Sequence, residues 1–171
     1  MKTILTLAFA FMLAYNCYSQ DTLSKVIEYD ITMEAAGKMD VPLINYLVKK
    51  AGNKPWLTVL LDEIIAGEIA AYEVEDHERI DKEIIRKHVA GEVYDTTMVV
   101  DPITYEDTMH IARRDPWDVQ KIVALRFTEE WTWNEDLKEM QLNYLGFIPL
   151  MDVYRDDDYL GKKPLFWVKL N

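Results

Sequence analysis

Cysteine and serine are scarce in this sequence of 171 residues, and their scarcity limits both how the chain is stabilised and what chemistry it can perform. The one cysteine, Cys17, lies in an apolar N-terminal segment, and Ser24 is the last serine along the chain. A fold without paired cysteines is held by packing rather than by disulfides. A catalytic triad needs a positioned Ser or Cys nucleophile, so the sequence argues against catalysis of that type.

Basic residues are also few relative to acidic ones. The chain has 19 Lys and Arg against 30 Asp and Glu, which gives a formal net charge of −11. An acidic surface repels the phosphates of nucleic acids and the headgroups of anionic lipids. We therefore expect no nucleic acid among the partners of this protein and no binding to an anionic membrane surface.

Histidine is rare, and the usual metal and nucleotide motifs are missing. His77, His88 and His110 have no close ligand spacing, and the HExxH pattern is absent. Charged neighbours predict that His77 and His88 are solvated. The acidic run 156–158 fits a calcium loop or a solvated hairpin turn, and the missing EF-hand spacing favours the turn. The sequence predicts no metal and no cofactor.

The first residues, 1–19, have the pattern of a secretory signal peptide. Lys2 supplies a positive start, residues 4–15 are almost entirely apolar, and small residues precede a cut after Ser19. No later apolar run is long enough to span a bilayer. We predict that the chain is exported as one domain, residues 20–171, with no direct membrane span.

Cys17 offers an alternative, in which an acylated cysteine anchors the mature chain to a membrane. Lipidated cysteines normally follow a small residue, whereas Asn16 precedes Cys17. The cleaved signal peptide is therefore the favoured interpretation.

Two helices are predicted in the first half of the mature chain. Apolar residues recur at helical spacing after Asn53, which is expected to cap a helix that stops at Gly67. A second helix is predicted from Asp81 to just before Gly91, with Ile84, Ile85 and Val89 on its inner side. Residues 21–40 have a mixed pattern and are expected to wrap onto the domain.

The second half of the chain has the alternating pattern of antiparallel strands. One hairpin is predicted around Asp101-Pro102, and another over residues 123–148 with a four-residue loop from Asn134 to Leu137. Helices early and strands late predict an α+β fold, with short helices packed on an antiparallel sheet built from late hairpins.

Glu129 breaks the apolar face of the second hairpin. That face otherwise consists of Leu125, Phe127, Trp131 and Trp133. Burying an unpaired polar group costs about 2–7 kcal/mol, so the carboxylate needs a partner. It is a structural acceptor for an Arg, a Tyr hydroxyl or backbone amides, a recognition element for a partner's cation, or a general acid; the first is favoured.

The last strand carries large apolar groups on both faces. Leu165 and Trp167 alternate with Phe166 and Val168. Either a second layer covers this strand, or Leu165 and Trp167 help to form a docking patch of the kind that marks interfaces. The candidate partner-binding residues are Glu129, Trp131, Trp133, Leu165 and Trp167.

Three segments together resemble the GldN/PorN family of gliding motility and type IX secretion. They are the strand end Glu129 to Trp133, the stretch Gly146 to Pro149, and the "LFW" strand Leu165 to Trp167. The order of these segments is similar to that of the family, and the resemblance runs from about residue 25 to residue 170. Longer members continue past the "LFW" strand, so the chain looks like a relative shortened at its C-terminus.

The resemblance implies a non-enzymatic periplasmic component of a secretion and motility machine. The implied partners are a ring-forming lipoprotein of the outer membrane and a motor-linked membrane protein. The resemblance also implies oligomerisation within a ring. A different class remains as an alternative, a periplasmic hydrolase or small-ligand binding protein that uses Glu129 with a second carboxylate; it predicts a deep pocket beside Glu129.

Overall fold

A computed structural model describes residues 24–100, 102–103, 105 and 107–170. The predicted signal peptide and Cys17 lie outside the described residues. By its contacts the described chain divides into two compact units. The smaller unit contains residues 24–27 and 130–143, and the larger contains residues 28–129 and 144–170.

The helices lie in the first half of the described chain, together with two strands, and strands dominate the second half. The α-helices of the described ranges are α1 (Met33–Ala36), α2 (Pro42–Ala51), α3 (Trp56–Ala66) and α4 (Lys82–Ala90). The strands of the same ranges are β1 (Ser24–Thr32), β2 (Ala71–Tyr72), β3 (Tyr94–Val100), β4 (Asp107–Arg113), β5 (Ile122–Asn134), β6 (Glu139–Arg155), β7 (Asp158–Pro164) and β8 (Trp167–Lys169). A short 3-10 helix, Val119–Lys121, precedes β5.

The main sheet has the strand order β1-β5-β6-β8-β2, with β7 paired to β6. The pairs β2–β8, β6–β7 and β6–β8 are antiparallel. Strands β3 and β4 form a separate antiparallel ribbon. The predicted α+β class is confirmed, although the sheet also uses β1 and β2 from the early part of the chain.

The core of the larger unit lies between the helices and one face of the main sheet. Each fully buried aliphatic or aromatic side chain contributes about 1.5–3 kcal/mol through loss of apolar surface from water. Its helical members include Ile44, Leu47, Leu57, Leu60, Ile64 and Ile85, and its members from the sheet and the segment before β8 include Leu125, Phe127, Phe147, Phe166 and Val168.

The opposite face of the sheet carries a second, smaller apolar cluster. Ala124, Ile148 and Leu150 are buried there, and Trp167 packs against them. Successive side chains of a strand point to opposite faces, so this cluster is separated from the main core by the sheet itself. In the last strand, Val168 lies in the main core while Trp167 packs against this second cluster and stays half-buried.

The two predicted helices form, with corrections at their ends. Gly67 ends α3 in the left-handed region (φ 88°) and the Asp81 side chain caps α4 by accepting from the Glu83 amide. Asn53 was expected to cap α3, but that helix begins after Pro55 without a side-chain cap. Ile84 was expected on the inner side of α4, but it is exposed because Ile85 occupies the buried position.

The hairpins also form, with one shift. The turn between β5 and β6 has four residues as predicted, but it spans residues 135–138, one position later than expected. The acidic run 156–158 contributes to the turn between β6 and β7, where Asp156 and Asp157 adopt positive φ.

Candidate functional site

The Glu129 carboxylate is buried in the main sheet and receives a hydrogen bond from Tyr29. Only 6% of Glu129 is exposed, and it is the one buried charged residue among those that the structure describes. The Tyr29 hydroxyl of β1 donates to Glu129 Oε1 of β5. A Tyr hydroxyl was among the partners expected for a structural acceptor, so this contact agrees with the favoured interpretation.

Burial and the carboxylate together hold the neighbouring tyrosines in their neutral form. Burial raises the pKa of Tyr29 well above its ordinary value, and the hydrogen bond to Glu129 raises it further. Burial also raises the pKa of Tyr144, with a smaller contribution from the negative charge of Glu129. Both hydroxyls therefore stay neutral to a higher pH than the hydroxyl of an ordinary tyrosine.

Aromatic rings surround this polar pair. Tyr29 stacks on Phe127 with ring centroids 6.2 Å apart and an interplanar angle of 20°. Phe127 also meets Tyr144 edge-on at 5.8 Å and Phe147 at 5.7 Å. The Tyr29 ring that carries the donor hydroxyl thus belongs to an aromatic cluster centred on Phe127, and a hydrogen bond to the buried carboxylate is electrostatically stronger than one in water.

The structure pairs Glu129 with a tyrosine of the neighbouring strand. Three cavities, of about 350, 280 and 320 Å³, are lined by residues other than Glu129. Among the described residues no group of three His, Cys, Asp or Glu side chains could hold a metal ion. The pairing with Tyr29 suits a structural tie between two strands.

Trp131 and Trp133 lie in the smaller unit and differ in exposure. Trp131 is half-buried, whereas 40% of Trp133 is exposed. A four-residue turn places these alternate residues of β5 on the same face of the hairpin as Met140 and Leu142 of β6, both of which are also exposed. The hairpin end of the smaller unit therefore presents apolar side chains to solvent.

Leu165 and Trp167 are parts of the packed interior of the larger unit. Leu165 is 6% exposed and belongs to the main core. Trp167 is half-buried and packs against Tyr72 at 5.7 Å and His77 at 4.4 Å between ring centroids. Its indole covers Gly146, because a Cβ built there would lie 2.3 Å from Trp167 Nε1.

The structure corrects the prediction that both His77 and His88 are solvated. His77 is exposed, but His88 is half-buried and stacks on Trp117, with ring centroids 4.3 Å apart and an interplanar angle of 7°. Burial lowers the pKa of His88. Sequence reasoning missed this contact because Trp117 lies far along the chain from His88.

A second exposed apolar surface lies on the ribbon of β3 and β4, and sequence reasoning did not single it out. Tyr94, Met98, Val100, Met109 and Ile111 are all exposed. The signal was available, because apolar residues at every second position of each strand predict one apolar face.

These features define a small α+β protein with exposed apolar faces on two of its hairpins, a property typical of proteins that work through contacts with other proteins. The family model described as "Gliding motility associated protein GldN" matches residues 18–171, and the chain belongs to this family. GldN proteins are structural components of gliding motility and type IX secretion and are not a known enzyme family.

The family assignment agrees with the resemblance found in the sequence. No curated protein matches the chain. Within the part of the chain that the structure describes, none of the helices combines the length and the apolar character that crossing a membrane requires.

Proposed function

We propose that this protein is a periplasmic, non-enzymatic subunit that docks onto a ring-forming outer-membrane lipoprotein of the type IX secretion and gliding machine. The observation that carries the proposal is the family match over residues 18–171. The acidic chain and the apolar hairpin end of the smaller unit support it, since both suit a protein contact rather than nucleic acid or an anionic membrane surface.

The five candidate residues have different parts in this proposal. Trp133 makes the direct contact, because it is the most exposed of them, and Trp131 lies beside it on the same strand face. Trp is a frequent anchor of protein interfaces. Glu129, Leu165 and Trp167 hold the larger unit in shape through the Tyr29 hydrogen bond, the main core and the cover over Gly146.

The location and extent of the mature protein are also proposals. Cleavage after Ser19 would leave residues 20–171 as one domain in the periplasm. There the protein would lie near the motor-linked membrane protein and would be oligomeric within the ring. Mass spectrometry of the N-terminus and fractionation of the cell envelope test the cleavage and the location. One cooperative unfolding transition would support the single domain.

Site-specific cross-linking tests the docking. A photoreactive amino acid replaces Trp133 in the tagged full-length protein, which is then purified from its native cell envelope. Thr132 is the matched control, because it is the adjacent residue on the opposite face of β5. We expect a cross-link to the lipoprotein from position 133 and a much weaker one from position 132. A free monomer in the periplasmic fraction, or equal cross-linking from both positions, would contradict the proposal.

A further inference from the structure

The ribbon of β3 and β4 has one apolar face and one polar face. Its register pairs Thr96 with Ile111 and Met98 with Met109, and these side chains share a face with Tyr94 and Val100. The other face carries the pairs Asp95–Ala112, Thr97–His110 and Val99–Thr108.

The apolar face of this ribbon is open to solvent. The exposed fractions are 64% for Met98, 59% for Met109 and 63% for Ile111. Contiguous apolar surface of this kind marks a binding site in soluble proteins. A two-stranded ribbon is by itself of marginal stability in water, so a partner that covers this face would also stabilise the ribbon.

At its base the ribbon is fixed to the rest of the larger unit. The Arg113 guanidinium of β4 donates to the carbonyl oxygens of Gly91 and Ala90 at the C-terminus of α4. Arg114 forms an ion pair with Asp95, with Nη2 and Oδ1 2.6 Å apart. Both arginines at the base are therefore engaged within the chain.

The edges of the ribbon are available for a further strand. Among the described residues, β3 and β4 pair only with each other, so each strand has one side without a neighbouring strand. An open edge of this kind accepts an extended segment through main-chain hydrogen bonds, and alternate side chains of that segment then extend the face of the sheet.

The charges near the open end of the ribbon select the partner. Asp107 lies on the apolar face, opposite Val100, and the connection between the strands adds Asp101 and Glu106 in the sequence without a basic residue. A second copy of this ribbon would bring like charges together, in a chain whose net charge is already −11. A basic partner would instead be attracted.

We propose that the β3–β4 ribbon is a second docking surface, which binds an extended apolar segment flanked by Lys or Arg from another protein. The segment pairs with an edge of the ribbon, its apolar side chains continue the face of Met98, Met109 and Ile111, and its basic residues lie near Asp107. This surface is separate from Trp133 and goes beyond the docking proposed above.

Cross-linking in cells tests the surface and the chemistry of its occupant. A photoreactive amino acid is placed at Met98 in the full-length protein, or at Thr97 as the control on the polar face, and the cross-linked peptide is identified by mass spectrometry. We expect position 98 to capture a segment of a different protein that is apolar and adjoins Lys or Arg, and position 97 to capture it much less.

Cross-links from position 98 to a second copy of this chain, to lipid or to an acidic segment would overturn the proposal. Equal capture from positions 97 and 98, or no capture from either, would overturn it as well.

A matched pair of charge variants tests the electrostatic part. Asp107→Asn and Thr97→Lys both raise the net charge by one unit, but on opposite faces of the ribbon. We expect Asp107→Asn to reduce capture from position 98 by up to about five-fold, the range of an exposed ion pair, and Thr97→Lys to leave it unchanged. Thermal unfolding of each variant shows whether the fold is intact. Equal effects on capture from two folded variants would show that Asp107 does not select the partner.

Discussion

Tyr29 and Glu129 are 100 residues apart along the chain, and the hydroxyl of the first donates a hydrogen bond to the carboxylate of the second. The pair links β1, at the edge of the main sheet, to its neighbour β5. It explains how an acidic residue can be buried in β5, because hydrogen bonding compensates the loss of water around a carboxylate.

Tyr29→Phe removes this hydrogen bond and leaves the ring stack on Phe127 in place. A hydrogen bond to a charged group contributes about 1.5–3 kcal/mol, so we expect the free energy of unfolding to fall by an amount in that range. Urea denaturation measures it. Tyr154→Phe is the matched control, since Tyr154 is exposed and its ring contact with Tyr159 survives the change. Equal losses in the two variants would show that the Glu129 contact adds little.

The raised pKa of Tyr29 predicts a loss of stability in alkali. The folded protein holds this pKa above the ordinary value of 10.0, through burial and the bond to Glu129. The neutral hydroxyl is therefore favoured by folding, and its contribution is complete below pH 10 and is lost as the pH rises above it. We expect the stability difference between wild type and Tyr29→Phe to shrink as the pH rises from about pH 10 to pH 12. A difference that stays constant over this interval would contradict the assignment.

Local signals predicted the parts of the fold whose boundaries are set locally. Gly67 ends α3 and Asp81 caps α4, and each signal is contained within a few residues of the helix it bounds. Helix α2 could have been predicted in the same way, because Pro42 begins it and Ile44 and Leu47 give it a buried stripe. The two lysines near its end, Lys49 and Lys50, interrupt this apolar pattern.

The remaining features depend on contacts between distant parts of the chain. Strand β1 was not predicted, since most of its side chains are exposed and its neighbour β5 begins at Ile122. The burial of Glu129 followed from the alternation of β5, but the identity of its donor, Tyr29, did not. The stack of His88 on Trp117 is likewise a contact between distant parts of the chain. A sequence pattern shows that a segment alternates like a strand, but it does not show which other strand that segment pairs with.

Gly146 is required by the close approach of Trp167 and of the backbone of β8. A Cβ on residue 146 would lie 2.3 Å from Trp167 Nε1 and 2.6 Å from the Val168 carbonyl oxygen. Because one of these atoms belongs to the backbone, the clash cannot be relieved by moving the side chain alone. We expect Gly146→Ala to destabilise the protein by about 1–3 kcal/mol, the cost of overpacking.

Gly37→Ala is the control for Gly146→Ala. A Cβ at residue 37 would meet its nearest atoms at 3.6 Å, an ordinary contact, and the residue has φ −65°. We expect its effect on thermal unfolding to be small. If Gly146→Ala were equally well tolerated, then β6 and β8 would have to separate more easily than the packing of Trp167 suggests.

Trp167 and Trp133 are expected to respond in opposite ways to truncation. Trp167→Ala removes ring contacts with Tyr72 and His77 and uncovers Gly146. Since Trp167 is half-buried, we expect a loss of roughly 2–3 kcal/mol, below the 3–5 kcal/mol of a fully buried aromatic.

Trp133→Ala removes a side chain that is 40% exposed, so its cost in stability should stay under about 1 kcal/mol. Urea unfolding of both variants measures these losses, and recovery of the lipoprotein measures docking. If Trp167→Ala unfolded like wild type but lost the lipoprotein, the contact surface would lie at the last strand rather than at the hairpin end.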